Sequence, residues 1–252
     1  MNTVSVITVC FNSGSTLSHT LMSVSEQTYP KKEHIVIDGV STDNTAAVLA
    51  QHRTALAVCL SEPDAGMYDA MNKGIHHATG EVIGFLNADD YYATPDALAQ
   101  IMDAFQDPTV EAVYGDLQYV SPQCLTQVVR YWRSSPFKPS LFLTGWCPPH
   151  PTFYIRKSCL ERFGGFDMQY RMGNDVEWMM RLLEVHRITT RYLPQVLVNM
   201  RTGGASNNKF SHIWLQNKEI IRAARQHQLP LSLFRFVFGK ILNRVRQFYV
   251  RA

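Results

Sequence analysis

From Val4 to Asp90 the chain alternates short β-branched runs with helix-like segments, and that alternation leaves few folds open. Val4-Ser5-Val6-Ile7-Thr8-Val9, Glu33 to Asp38, Ala57 to Leu60 and Glu81 to Leu86 have the character of buried strands. A first helix is expected from Ser15 or Thr16 to about Gln27, and a second from the Ser41-Thr42-Asp43-Asn44 cap to about His52. A third is expected from Asp69 to about Ala78. Strands and helices in alternation imply parallel pairing with right-handed crossovers, an α/β, Rossmann-like arrangement. Ligands bind such sheets beyond the carboxyl ends of the strands. Asn12 follows the first run, Asp38 ends the second, Glu62 and Asp64 follow the third, and Asp89 and Asp90 follow the fourth. They are expected to converge on one cleft.

Beyond Asp90 the pattern loosens. Ala112 to Leu117 is expected to be a strand that opens a β-rich stretch to about Trp132. Trp146-Cys147-Pro148-Pro149-His150-Pro151 is a loop stiffened by its prolines. Thr152 to Ile155 is a further expected strand, and Asp175 to about Glu184 an expected helix with Val176, Met179, Met180 and Leu183 on one face. Arg191 to Asn199 suggests a final edge strand.

The 252 residues suffice for one large α/β domain, expected over 1–215, with a tail over 216–252. An apolar fraction of 46% against 18% charged excludes a disordered chain. From Lys218 onward eight Lys or Arg face one Glu, a net +7; the whole chain is +3, so the remainder is −4. In that tail Phe234, Val237, Phe238, Ile241, Leu242, Val245, Phe248 and Tyr249 fall on one helical arc, with Arg235, Lys240, Arg244, Arg246 and Arg251 outside it. A basic amphipathic helix of this kind suits an anionic membrane surface, a packed face on the domain, or a homodimer interface. The five cysteines show no CxxC spacing, so reduced thiols are expected rather than a disulfide framework or a thiolate zinc site. No secretory signal and no membrane-spanning run is expected, which suggests a cytoplasmic protein held peripherally at the inner face of the cell membrane.

Six blocks in order carry a resemblance: Asp38-Gly39-Val40-Ser41-Thr42-Asp43, Glu62 to Gly74, Phe85-Leu86-Asn87-Ala88-Asp89-Asp90, Gly164-Gly165-Phe166-Asp167, Asn174 to Leu182 and Arg201 to Ser206. Over roughly residues 4 to 206 the chain resembles glycosyltransferase family 2. The resemblance implies a GT-A fold, a mixed, mostly parallel sheet flanked by helices. It also implies an inverting transfer of a sugar from a nucleotide diphosphate, uridine diphosphate being the expected carrier, to an acceptor hydroxyl. Two positions depart from the family pattern: Asn87 stands where its D-x-D motif begins with an acid, and Asn174 where its Glu-Asp pair begins with one.

Mn²⁺ or Mg²⁺ is the expected cofactor, since a hard cation bridges phosphate oxygens with one or two carboxylates. Asp89 matches the family's metal-binding acid, with Asp90 beside it. Asp38 resembles the base-binding aspartate; Thr8, Asn12, Glu62, Asp64, Lys73 and Arg201 are further donor-binding candidates, with Asp43 and Ser206 behind them. Asp175 matches the catalytic base, with Glu177 as a second candidate. Trp146 and His150 are candidates for an acceptor, either a saccharide or a lipid-linked saccharide of cell-surface polysaccharide assembly. The two amides keep a non-catalytic sugar-binding module as the rival reading. A sugar nucleotidyltransferase would need a Gly- and Arg-rich loop that Cys10 to Thr16 does not supply, and the acidic body argues against a nucleic-acid partner.

Overall fold

The computed structural model describes residues 2–203 and 210–249, with backbone alone for 210–212 and 249. Its strands are β1 (Val4–Cys10), β2 (Lys32–Asp38), β3 (Val58–Ser61), β4 (Val82–Phe85), β5 (Tyr91–Tyr92), β6 (Ala112–Val120), β7 (Val128–Trp132), β8 (Tyr154–Arg156) and β9 (Thr190–Arg201). Its helices are α1 (Leu17–Ser25), α2 (Thr45–His52), α3 (Met67–His77), α4 (Ala97–Ala104), α5 (Lys157–Phe163), α6 (Asn174–Met180), α7 (Phe210–Gln226) and α8 (Leu233–Tyr249).

One sheet carries every strand, in the order β3-β2-β1-β4-β8-β6-β9-β5, with β7 on the free part of β6. The first four pair in parallel, as strands joined through α1, α2 and α3 must. The second half departs from that rule: β8 is antiparallel to both β4 and β6, while β6 and β9 are parallel. The result is the mixed, mostly parallel GT-A sheet flanked by helices. Val4, Val6, Ile35, Val36, Ile37, Val82 and Ile83 are almost wholly buried, so the β-branched runs form its core.

Three local expectations change. β9 is not an edge strand: it lies between β6 and β5. Pro194 is tolerated because β5 pairs only at Val198 and Asn199, leaving the proline's other side unpaired. Neither Thr16 nor Asn44 makes a side-chain cap; Asp43 accepts the Thr45 amide instead, at 2.9 Å. The expected boundary at 215/216 falls inside α7, whose Ile220, Ala223 and Ala224 are buried in the main core.

Helix α8 packs with its polar side inward. Phe236 is buried, and Gly239 lies so close to Thr144 that a Cβ there would meet the Thr144 carbonyl oxygen at 2.1 Å, which only glycine avoids. Lys240 Nζ donates to Asn217 Oδ1 of α7 at 2.6 Å. The apolar arc faces outward: Phe234 is 78% exposed, Phe238 59% and Ile241 58%. Of the arc, Tyr249 is described by backbone alone, and Arg251 lies outside the described residues. Among those residues no helix is long and apolar enough to cross a membrane.

Candidate active site

The carboxyl ends of β1, β2 and β3 meet in a network of short turns. Asn12, at φ 51°, donates its backbone amide to Ser41 Oγ at 2.8 Å and accepts the Thr42 amide at its Oδ1, also at 2.8 Å. Asp38 is 2% exposed and accepts the hydroxyls of Ser41 and Ser61 at 2.5 and 2.6 Å. Asp43 accepts the Gly14 amide at 3.1 Å, and its hydrogen bonds from Thr45 hold its carboxyl below the usual range. Gly39 passes Asp64 so closely that a Cβ would lie 2.5 Å from Asp64 Oδ2. Asp64 Oδ1 in turn accepts the Gly66 amide at 2.8 Å, shaping the loop that enters α3. Lys73 is engaged by Glu62 at 2.9 Å, Asp69 at 3.6 Å and the Pro63 carbonyl at 2.6 Å. Pairing with Glu62 raises its pKa, and the ammonium clamps this loop to α3.

Thr8 does not belong to this rim. It is fully buried, with its hydroxyl 2.9 Å from His34 Nε2, so it cannot line a nucleotide pocket as expected. Phe11, which the sequence did not single out, is 62% exposed beside Gly39 and offers a flat apolar face there.

The turn after β4 holds the candidate cation site. Burial raises the Asp89 carboxyl, with the Arg201 charge opposing. Arg201 Nη1 donates to the Asp89 backbone carbonyl and Arg201 Nη2 lies 2.6 Å from His19 Nδ1, so Arg201 braces the turn. Asp90 is fully buried and accepts the Asn87 amide at 3.0 Å. Its other oxygen has no partner, and burial, then the Asp89 charge, pushes its carboxyl well above the usual range. Asp90 thus packs behind the turn, one oxygen held by Asn87 and the other without a protein partner. Asn87 fits this geometry better than an acid would, because an amide donates where a carboxylate would repel. Among the described residues no three His, Cys, Asp or Glu cluster as a metal cage. Asp89 suits a cation held chiefly by diphosphate and water.

From Asn87 and Tyr68 a cleft of about 500 Å³ runs past Asp175, His150 and Trp146 to the inner face of α8. Asp175 enters it from the first turn of α6, its Oδ1 accepting the Tyr68 hydroxyl at 3.2 Å. Burial, then the Asp175 charge, keeps that phenol protonated and donating. Asn174 donates to the Asp167 and Tyr170 carbonyls at 2.7 and 3.3 Å, two bonds an ionised acid could not make. Glu219 of α7 accepts the amides of Arg171, Met172 and Gly173, each within 3.1 Å. Helix α7 thus fixes the loop that presents Asp175, a role the sequence did not disclose. Glu177, the second base candidate, is 2% exposed and paired with Arg181 at 2.9 Å and His227 at 2.8 Å. Burial raises its carboxyl, but His227 and Arg181 outweigh that and lower it, so it is a structural ion rather than a base.

His150 stacks on Phe85 at 5.3 Å and meets Trp178 edge-on at 5.9 Å. Burial lowers its pKa against the pull of Asp175, leaving a neutral ring whose Nε2 has no partner. Trp146 also lines the cleft with an unpartnered Nε1. The far wall is basic: Arg130, Arg133, Lys240, Arg244 and Arg246 all line it. Burial lowers the Lys240 ammonium's pKa, with Cys147 and Asp175 opposing. Ser206, a further donor-binding candidate, lies outside the described residues.

Known proteins place this geometry. A glycosyltransferase of Mycobacterium tuberculosis is 36% identical over 181 residues, 71% of this chain and 68% of the relative. A PGL/p-HBAD biosynthesis glycosyltransferase of Mycobacterium bovis is 30% identical over 90% of this chain and 84% of its own. Staphylococcus aureus TarS, solved with UDP-GlcNAc, superposes with a TM-score of 0.70 over 92% of this chain and 68% of its own, at 18% identity. The mannosyltransferase PcManGT of Pyrobaculum calidifontis, solved with GDP-Man and Mn²⁺, does so at 0.65 over 100% and 76%, at 21% identity. These two likenesses establish the fold. The profile of glycosyl transferase family 2 matches residues 5–167, which together with the relatives makes this chain an enzyme, a glycosyltransferase belonging to that family.

Proposed function

We propose that the enzyme inverts the anomeric centre as it moves a sugar from a nucleotide diphosphate, UDP in the first instance, onto an acceptor hydroxyl. The observation that carries this is Asp175: a carboxylate presented to the cleft, oriented by Tyr68, on the same cleft as Asn87 of the Asp89 turn. The acceptor oxygen gives its proton to Asp175 as it attacks the anomeric carbon. The bond to the diphosphate breaks on the opposite side, so the configuration inverts. Asp89 would hold Mn²⁺ or Mg²⁺, which when bound neutralises the charge of the departing diphosphate. Solved relatives of the fold carry UDP-GlcNAc in one case and GDP-Man with Mn²⁺ in the other, which supports a nucleotide-sugar donor here.

The nucleotide lies on the rim formed by Asn12, Glu62 and Asp64, with Phe11 as a stacking face. Asp38, Lys73 and Arg201 act by holding turns in place rather than by touching the donor. Trp146 and His150 face the acceptor. The outward arc of α8 rests on a membrane surface, making the protein peripheral and its acceptor a lipid-linked saccharide. Residues 1–215 together with the rest of α7 form the catalytic body, and α8 the attached tail.

Nucleotide release from a panel of nucleotide sugars, with and without Mn²⁺, tests the donor reading; no cation-dependent release from any of them overturns it. Phe234→Ser with Phe238→Ser tests the membrane reading. Undiminished recovery with vesicles overturns that part, and a concentration-dependent dimer that the substitutions abolish would assign the arc to a second copy instead.

A further inference from the structure

One wall of the cleft gathers cations that the protein leaves without ion-pair partners among the described residues. Arg130 and Arg133 come from β7 and its C-terminal end, Lys240 and Arg244 from one face of α8. Among the described residues none of the four forms an ion pair with a carboxylate. The carboxylate nearest in the chain, Asp116, is already filled: Tyr131 and Tyr192 donate to it at 2.7 Å, as does the Ser134 amide at 2.8 Å. Arg130 sits over the Tyr119 ring at 3.7 Å, and Lys240 donates to the neutral Asn217, lies over the Phe236 ring at 5.7 Å and feels the Asp175 charge without pairing with it. Arg130 and Arg244 are near enough to repel, the Arg244 charge adding to burial in lowering the Arg130 pKa. Ser134 Oγ and Trp146 Nε1, both lining the same wall, are buried without partners. Like charges held together with orphaned polar groups are relieved by an anion with several oxygens, and arginine forks match phosphate oxygens well.

Position narrows the anion further. Asp175 stands on one side of this wall and the exposed arc of α8 on the other, with Arg130 5.8 Å from the ring of Phe248, which belongs to that arc. Reactive hydroxyl, anion and apolar chain are thus met in that order. We propose that Arg130, Arg133, Lys240 and Arg244 form an acceptor-side subsite for the phosphate or diphosphate that joins the acceptor sugar to a lipid chain. This deepens the transferase reading and rests on it: the wall sets which acceptors reach Asp175, while the donor rim sets which nucleotide binds.

The test uses the full chain without divalent cation, so that the Asp89 turn does not capture the probe. Farnesyl diphosphate, farnesol and inorganic pyrophosphate are the probes, read by calorimetry. Farnesyl diphosphate is expected to bind at least about tenfold more tightly than farnesol, and Arg130→Gln with Arg244→Gln to remove most of that difference. UDP affinity of the same variant, measured with Mn²⁺, is expected to stay within about twofold, consistent with independent sites. Arg130→Lys with Arg244→Lys is expected to retain part of the preference. A second pair, Arg133→Gln with Lys240→Gln, serves if the first does not fold. Equal affinity for farnesyl diphosphate and farnesol, or a glutamine variant that binds the diphosphate as the parent does, overturns the proposal. So does loss of binding to phosphatidylglycerol vesicles in a variant whose farnesyl diphosphate affinity is unchanged, since the cations would then serve the bilayer. Pyrophosphate binding equal to that of farnesyl diphosphate keeps the anion subsite and removes the lipid. Absence of nucleotide release with every donor is a separate failure, that of the transferase reading.

Discussion

The turns at the carboxyl ends of β1, β2 and β3 and the basic wall of the cleft are charged in opposite ways and are also finished to different degrees. On the donor rim nearly every acid is answered from within: Asp38 by Ser41 and Ser61, Asp43 by Thr45 and Gly14, Asp64 by Gly66, Glu62 by Lys73. On the basic wall none of Arg130, Arg133, Lys240 and Arg244 forms an ion pair with a carboxylate among the described residues. The rim is a set of turns held ready by their own hydrogen bonds, so most of its acids shape the site rather than touch a ligand. The wall leaves its guanidinium groups without ion-pair partners among the described residues, two of them, Arg133 and Arg244, open to solvent. Asp175 belongs to neither pattern. It is held by one phenol and is otherwise presented to the cleft, as a proton acceptor must be.

The sharpest way to break this division is at its centre. Asp175→Asn is expected to lower transfer about 10²- to 10⁴-fold, the range for loss of a general base, with donor affinity unchanged. Turnover and UDP calorimetry on the same preparation check both halves, and near-parental turnover would return Asp175 to a structural role. The next effect is on stability. Asp38→Ala strips the acceptor from two hydroxyls at a 2% exposed position and is expected to destabilise the fold by about 1–3 kcal/mol. Arg244→Gln, which relieves repulsion with Arg130, is expected to leave the urea midpoint unchanged or raise it. If Arg244→Gln destabilises as much as Asp38→Ala, the wall is a structural network too and the contrast is lost.

Legibility in the sequence followed how local each interaction is. The four parallel strands stood out because β-branched runs between caps need no distant partner to be recognised. Asp89 and Asp175 stood out because they sit in short motifs. Thr8 was misplaced because its partner His34 lies on the neighbouring strand, and the sequence does not show which face of β1 meets β2. Asn87 and Asn174 looked like defects in an acidic pattern; each is a donor to a group that only the fold brings near. The basic tail was visible as an amphipathic helix, but the sequence left open whether it met a membrane surface, the domain or a second copy. Its Lys240 and Arg244, four apart and so on one helical face, instead close the cleft. Glu219 could not be seen from sequence, because its three amide partners lie some fifty residues upstream.

The smallest effect is a pH dependence of the buried sheet beneath the rim. Burial drives His34 of β2 down to about 3, so the folded sheet keeps a neutral imidazole there, hydrogen-bonded to Thr8. The unfolded chain takes up that proton near its ordinary pKa of about 6.5. A depressed native pKa means that the stability is present at neutral pH and is lost as the pH falls from about 6.5 towards 3, by at most about 1.4 kcal/mol per unit. His34→Gln retains a partner for Thr8 but not the titration, so its urea midpoint is expected to fall less steeply on acidification than that of the parent. Parallel slopes in the two proteins would mean that His34 takes up its proton while folded, and that the sheet beneath the rim is less closed than its hydrogen bonds imply.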